Sequence, residues 1–217
     1  MKTWKTIICG IAIISLASFI KPVQIGKPWQ GKPQQIPGKV ECELYDEGGE
    51  GAAYHDTDAE NNGSGKLNPV NGNPLNEFRI KDGADISYTK DGDIDNNPFN
   101  KTSRSIGQLY LGWTQPAEWV NYTVEVTKSG TYKIGALYTS NGNGEISIDV
   151  NGKDATGIIK IESTHDDRDT IAWRQWHHWN KSDFLGNIKL KKGKQLLTVR
   201  IITNGNMNLD YLTFSSN

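Results

Sequence analysis

Residues 118–126 alternate apolar and polar side chains with a period of two. Val120, Tyr122, Val124 and Val126 fall on one face, and Trp119, Asn121, Thr123 and Glu125 on the other. That is the pattern of a strand buried on one side. Lys128-Ser129-Gly130 reads as a turn, after which Tyr132, Ile134, Ala136 and Tyr138 resume the alternation. Asn141-Gly142-Asn143-Gly144 turns the chain again, Ile146, Ile148 and Val150 face inward, and Asn151-Gly152 is a hairpin signal. Leu197, Val199 and Ile201 form a further inward row after the turn at Lys191-Lys192-Gly193. Short strands at this spacing, with no long helical period, predict an all-β, antiparallel two-sheet β-sandwich. Residues 55–105 are rich in Asn, Asp and Gly and read as long surface loops.

Composition agrees. The 217 residues fit one domain plus extras, and a hydrophobic content of 35% with 23 glycines suits a turn-rich chain that buries one face of each strand. The net charge of −1 provides no broad basic face, which excludes nucleic acid as a partner.

Lys2 and Lys5 followed by the apolar run 7–20 read as an export signal, too short to span a bilayer comfortably. Residues 1–20 are therefore expected to be removed, leaving no membrane span and a periplasmic, cell-surface or secreted product. Cys9 goes with the signal, so Cys42 remains without an intrachain partner. Residues 21–38 are rich in Pro, Gly, Lys and Gln without strand or helix period. A lead-in or linker is expected over 21–35 and the folded module over 36–217, with Trp29 placed to pin the strap.

The seven tryptophans sit among Asn, Gln, Gly and acidic residues, most clearly in 112–122, GWTQPAEWVNY. A Trp in polar surroundings is a flat apolar plate with a polar edge, which matches the C–H face and hydroxyl rim of a sugar. Core packing is the alternative reading of any one ring. Glu41 and Glu43 lie two apart, so on a strand both carboxylates point the same way. They repel unless a cation lies between them, and oxygen ligands suit Ca²⁺. Spacing alone favours solvated glutamates, with Cys42 between them turned inward. Asn208 and Asp210 share a strand face in the same way.

Four segments together resemble carbohydrate-binding module family 6, the β-sandwich modules of bacterial polysaccharide-degrading enzymes. They are 40–51 (VECELYDEGGEG), 54–58 (YHDTD), 112–122 and 208–212 (NLDYL). The resemblance implies a galactose-binding-like jelly roll. It also implies a structural Ca²⁺ held by Glu41, Glu43 and Asp210, and a sugar cleft among the loops at one edge. Trp113 and Trp173 match the two aromatic plates of that cleft and Asn208 its amide. Tyr54 or His55 stands near an acidic position of the family. Trp119 matches a second site on the concave sheet face. The stretch 163–180 (STHDDRDTIAWRQWHHWN) departs from the family's short form, so Trp173, Trp176 and Trp179 compete for the second plate.

Such a module implies a polysaccharide or oligosaccharide ligand, such as β-glucan or xylan, and separately encoded glycoside hydrolases as partners. A glycosidase would need two carboxylates across a cleft, about 5–9.5 Å apart. Asp56, Asp58, Glu118, Asp166, Asp167 and Asp169 are candidates. Asp56 and Asp58 read as loop caps or ion ligands, and Asp166, Asp167 and Asp169 as a solvated run. His177 and His178 are adjacent and point apart on a strand. A non-catalytic module is therefore the expectation. An accessory domain of a glycoside hydrolase, a weakly recognisable glycosidase and a protein-contact or adhesion module are the alternatives.

Overall fold

A computed structural model describes residues 27–203 and 205–216 of the chain. The expected signal peptide lies outside the described residues. The strands are β1 (Gln34–Ile36), β2 (Gly38–Glu41), β3 (Tyr54–His55), β4 (Ile86–Tyr88), β5 (Leu109–Leu111), β6 (Trp119–Val126) and β7 (Gly130–Ser140). They continue with β8 (Gly144–Val150), β9 (Lys153–Asp154), β10 (Ile159–Ile161), β11 (Asn180–Leu190), β12 (Gly193–Thr203) and β13 (Met207–Ser216). One sheet runs β1-β6-β12-β8-β10, with β3 on β6 and β9 on β8. The other runs β11-β7-β13-β5-β4, with β2 on β13. No helix among the described residues is long and apolar enough to cross a membrane.

The alternation explains the sandwich. Val120, Tyr122, Val124 and Val126 of β6 meet Tyr132, Ile134, Ala136 and Tyr138 of β7, all buried, in one core shared with Ile146, Ile148, Leu197, Val199 and Ile201. Tyr122 can be fully enclosed because its hydroxyl donates to the Cys42 carbonyl at 3.0 Å. Cys42 itself is buried, as its place between two polar neighbours predicts. The Asn151-Gly152 hairpin forms between Val150 and Lys153. Both turn residues have positive φ, 50° and 77°, the conformation that favours Asn-Gly in a two-residue turn.

Two expectations need correction. The lead-in is not structureless to residue 35, because Gln34–Ile36 pairs in parallel with Val124–Val126. Ile36 fills the core, and burial of that side chain overrides the weak local period. Trp29 does pin the strap: its ring lies 5.5 Å from that of Phe78 and 4.5 Å from the Arg79 guanidinium. The segment 55–105 is irregular, but it is not a solvated fringe. Asn61, Asn68, Asn76, Asp85, Asp95 and Asn97 are buried, their side chains hydrogen-bonding backbone and side-chain groups of the segment and of the sheet it covers. Asn and Asp satisfy irregular backbone in this way, so a polar composition can still form a buried layer.

Candidate functional site

At one end of the sheets three carboxylates converge. One oxygen each of Glu41, Glu43 and Asp210 lies within 4.8 Å of the others. The strand argument alone does not produce this, since β2 stops at Glu41 and Cys42–Leu44 is a 3-10 turn. Asp210 is delivered by a bulge in β13, where Leu209 pairs with Tyr138 and Tyr211 with Leu137 and leaves Asp210 unpaired between them. Tyr211 in turn pairs with Glu41, which sets the bulge beside the glutamates.

Burial pushes Glu43 up to about 8 and Asp210 to about 6, and raises Glu41 as well. Arg104 forms an ion pair with Asp210 inside the protein, both side chains being buried. Glu43 Oε2 is buried with no hydrogen-bond partner among the described residues. One guanidinium against three ionised carboxylates leaves two negative charges in a desolvated pocket, which a divalent cation would neutralise. The donors are hard oxygens, so the set fits Ca²⁺.

A second constellation lies at the loop edge. Trp113 has φ of 47°, a conformation rare for a bulky residue, and is half-buried. Its N–H donates to Asn208 Oδ1 at 3.3 Å. Asn208 Nδ2 lies 2.9 Å from His177 Nδ1, and His177 Nε2 lies 2.7 Å from Asp95 Oδ1. Trp173 and Trp176 lie with ring centroids 6.3 and 5.7 Å from the His177 ring. Trp173 is 55% exposed, whereas Trp179 is fully buried with its Nε1–H donating to Asp95 at 2.7 Å. The competition among the three rings is therefore reduced: Trp179 packs in the core layer with Tyr110, Leu137 and Tyr211.

Two expected site residues are buried. Tyr54 packs in the core, its ring 5.5 Å from that of Tyr45 and its hydroxyl accepting the Gly83 N–H at 2.6 Å. Asn208 is 1% exposed with its amide engaged by Trp113 and His177, which makes it an internal organiser of the edge.

Trp119 stands on the outer face of the first sheet, half-exposed. With Asn121, Leu196 and Thr198 it lines a hollow of about 440 Å³ bounded by Lys27 and Glu47. Asn121 Oδ1 accepts from Thr198 Oγ1 at 2.6 Å, and Arg200 Nε donates to Asp149 at 2.8 Å.

The catalytic candidates have other occupations. Asp56 caps Asp58 N–H at 2.8 Å, and Glu118 receives Thr57 Oγ1 at 2.7 Å and Gln115 N–H at 2.6 Å, tying two loops together. Asp169 is not part of a solvated run. It is fully buried and holds Arg174 through two hydrogen bonds, of 2.6 and 2.9 Å, and His178 at 3.0 Å. His177 and His178 do point apart, each to its own buried carboxylate.

Sequence reasoning missed Arg104, Asp95, Arg174 and the supporting place of His177. Arg104 pairs with Asp210, and His177 with Asp95 and Asn208, across long stretches of chain beyond the reach of spacing, while Arg174 meets Asp169 five residues away only because an irregular loop folds back on itself. The run of Trp and His in 173–179 was the available signal.

The sequence model of the carbohydrate binding module (family 6) matches residues 84–216. No curated protein matches the chain. Among solved structures, a glycoside hydrolase family 43 arabinoxylan arabinofuranohydrolase from Bacillus subtilis, in complex with cellotetraose, superposes with a TM-score of 0.51. The identity is 12%, over 86% of this chain and 28% of that one. A family 6 module from Clostridium stercorarium in complex with cellobiose gives 0.49 at 9% identity, over 86% and 99%. A β-1,3-glucan-binding family 6 module from Bacillus halodurans gives 0.49 at 13%, over 85% and 100%. The chain thus spans about 28% of the length of the arabinofuranohydrolase, and at these identities the likeness is one of fold.

Proposed function

The chain belongs to carbohydrate-binding module family 6, and from that premise we propose that it is an exported, non-catalytic protein that holds a polysaccharide such as β-glucan or xylan at its aromatic loop edge, with a structural calcium. The observation that carries this reading is the continuous line Trp113, Asn208, His177, Trp173, linked by two hydrogen bonds and one ring contact. It supports an edge in which aromatic plates are held by a buried polar frame. A sugar's C–H face stacks on such a plate, each stack contributing about 0.5–1.5 kcal/mol beyond the area buried. Few contacts of this size imply an affinity on the order of 10 μM to 1 mM. Tethering beside separately encoded glycoside hydrolases would raise it. The carboxylates of Asp56 and Glu118 already cap backbone, which argues for binding over hydrolysis.

Calcium in this reading is held by Glu41, Glu43 and Asp210 and locks β2 to β13. Residues 1–20 act as the export signal and 21–35 lead into the module.

The hollow beside Trp119 favours a second reading, in which the sheet face is the binding surface. Affinity gel electrophoresis on a panel of neutral polysaccharides separates the two. Retardation abolished by Trp113→Ala or Trp173→Ala and kept by Trp119→Ala supports the loop edge, and the reverse result moves the site to the sheet face. A folded protein retarded by no glycan would overturn both.

A further inference from the structure

A third surface lies between the edge strands β10 and β11, where the two sheets come together. A hollow of about 710 Å³ is lined there by Ile158, Phe184, Lys101, Lys160 and Lys181, with Asn180 and Tyr138 among the residues deeper in it. Phe184 is 58% and Ile158 61% exposed, so two of the large apolar side chains most exposed among the described residues share one hollow. The β11 bulge between Ser182 and Gly186 turns Phe184 outward, since the residues there leave the β7 ladder.

The rim is cationic. No ion pair is found for Lys101 or Lys160 among the described residues. Glu145, directly opposite Lys160 across the strand pair, accepts from Thr203 Oγ1 at 2.9 Å. Lys181 pairs with Asp183 at 2.6 Å, but both are exposed, and a pair of that kind exchanges partners at little cost. Glu162 is the one carboxylate in the lining. Deeper in the hollow, Asn180 Nδ2 donates to the Tyr138 hydroxyl at 3.1 Å.

We propose that this hollow is a separate glycan-binding surface for an acidic, uronate-bearing polysaccharide. The ring of Phe184 supplies an apolar plate for the C–H face of a uronate. Lys101, Lys160 and Lys181 supply donors for carboxylates spaced along the chain, and Asn180 a polar group for hydroxyls. Three lysines against one carboxylate give the lining a local excess of positive charge on a chain whose net charge is only −1, and such an excess attracts an acidic polymer. The proposal goes beyond the loop edge and shares no residue with it.

The test is affinity electrophoresis and titration calorimetry of the whole protein with polygalacturonate, with a neutral β-glucan and dextran sulfate as companions. The expected result is polygalacturonate binding weakened about tenfold or more in Lys101→Glu/Lys160→Glu and clearly reduced in Phe184→Ala. It should weaken at high salt, as interactions between exposed charges do, and persist in Trp113→Ala. Far-UV circular dichroism and Tm establish that each variant is folded. No binding of polygalacturonate by the wild type overturns the proposal. So does binding lost in Trp113→Ala but kept in the lysine variant, which would put acidic chains at the loop edge. Equal binding of dextran sulfate with no effect of Phe184→Ala reduces the surface to ion exchange and overturns it too. The neutral glucan tests the loop edge independently, so either reading can fail alone.

Discussion

Asn208 and His177 form a buried amide–imidazole pair, Nδ2 to Nδ1, 2.9 Å apart. The direction of the bond is set by the neighbours. Trp113 N–H requires the amide oxygen, so the amide nitrogen must face His177, whose Nδ1 accepts and whose Nε2–H donates to Asp95. The backbone of one tryptophan is thereby tied to the loop that bears two others. Removing His177 leaves a buried amide N–H and the Asp95 carboxylate each short of a partner. His177→Ala is expected to cost about 1–3 kcal/mol of stability per unsatisfied group, and to weaken neutral-glycan binding although His177 touches no ligand. Chemical denaturation and calorimetry on the same variant check both. A stable variant with unchanged affinity would show that the frame does not hold the plates.

Asp169 makes a parallel case in the 163–180 loop. The Arg174 guanidinium holds its carboxyl well below the usual carboxylate range, and both groups are buried. Breaking a buried pair strands the other charge. Asp169→Asn should destabilise the protein by about 3–5 kcal/mol, and in the part of the population still folded should loosen the Trp173 and Trp176 loop. Asp167→Asn, two positions away and exposed, should leave stability within about 0.5 kcal/mol. Denaturant titration of the two variants makes the comparison.

That contrast shows what could be read from the sequence. Strands β6, β7, β8 and β12 were legible because one face of each carries apolar side chains into the shared core, and a period of two then marks every second residue. Glu41 and Glu43 were legible as a pair, and their meeting with Asp210 only through family resemblance, since it depends on a bulge that no spacing announces. Asp166, Asp167 and Asp169 look alike in sequence. What separates them is Arg174 and His178 folding back over Asp169 in a loop without period. Arg104 reaches Asp210 across more than a hundred residues, and Asp95 reaches His177 across 82. Such pairs belong to the closed tertiary structure.

The acidic end near Trp119 makes stability depend on pH. Burial, with the Glu118 carboxylate close by, pushes Asp56 up to about 7 and Asp85 up to about 6. In the unfolded chain both titrate near 4. Between these values the folded state retains protons that the unfolded state has lost, so stability falls as pH rises from about 4 to about 7. With calcium in excess, the protein should be more stable at pH 5 than at pH 8. Asp56→Asn keeps an Oδ1 for the Asp58 N–H and removes one of the titrations. It should narrow the difference by on the order of 1 kcal/mol, the side chain being partly solvated. Urea melts at the two pH values check this, and an unchanged difference would sink it.

If the cluster of Glu41, Glu43 and Asp210 holds calcium as proposed, a chelator should destabilise the protein. Without a divalent cation, Glu43 with its raised pKa of about 8 binds a proton at neutral pH, and Arg104, with Lys39 nearby, opposes the remaining charge. A divalent ion must displace that proton, so its affinity should rise between about pH 6 and 8 and fall in acid. A ligand that binds only the folded state stabilises it by about 2.7 kcal/mol when present at a hundred times its Kd. A chelator should therefore lower Tm by several degrees, and added Ca²⁺ should restore it. Asp210→Asn should abolish this response, because it removes one anionic ligand and the partner of Arg104 together. Glu43→Gln should weaken the response while sparing the chelator-treated protein, since in that state it replaces a protonated acid by a neutral amide of similar shape. Differential scanning calorimetry with and without chelator reads all three. A wild type whose Tm ignores both chelator and calcium would mean that Arg104 and Lys39 suffice to offset the charge of this site.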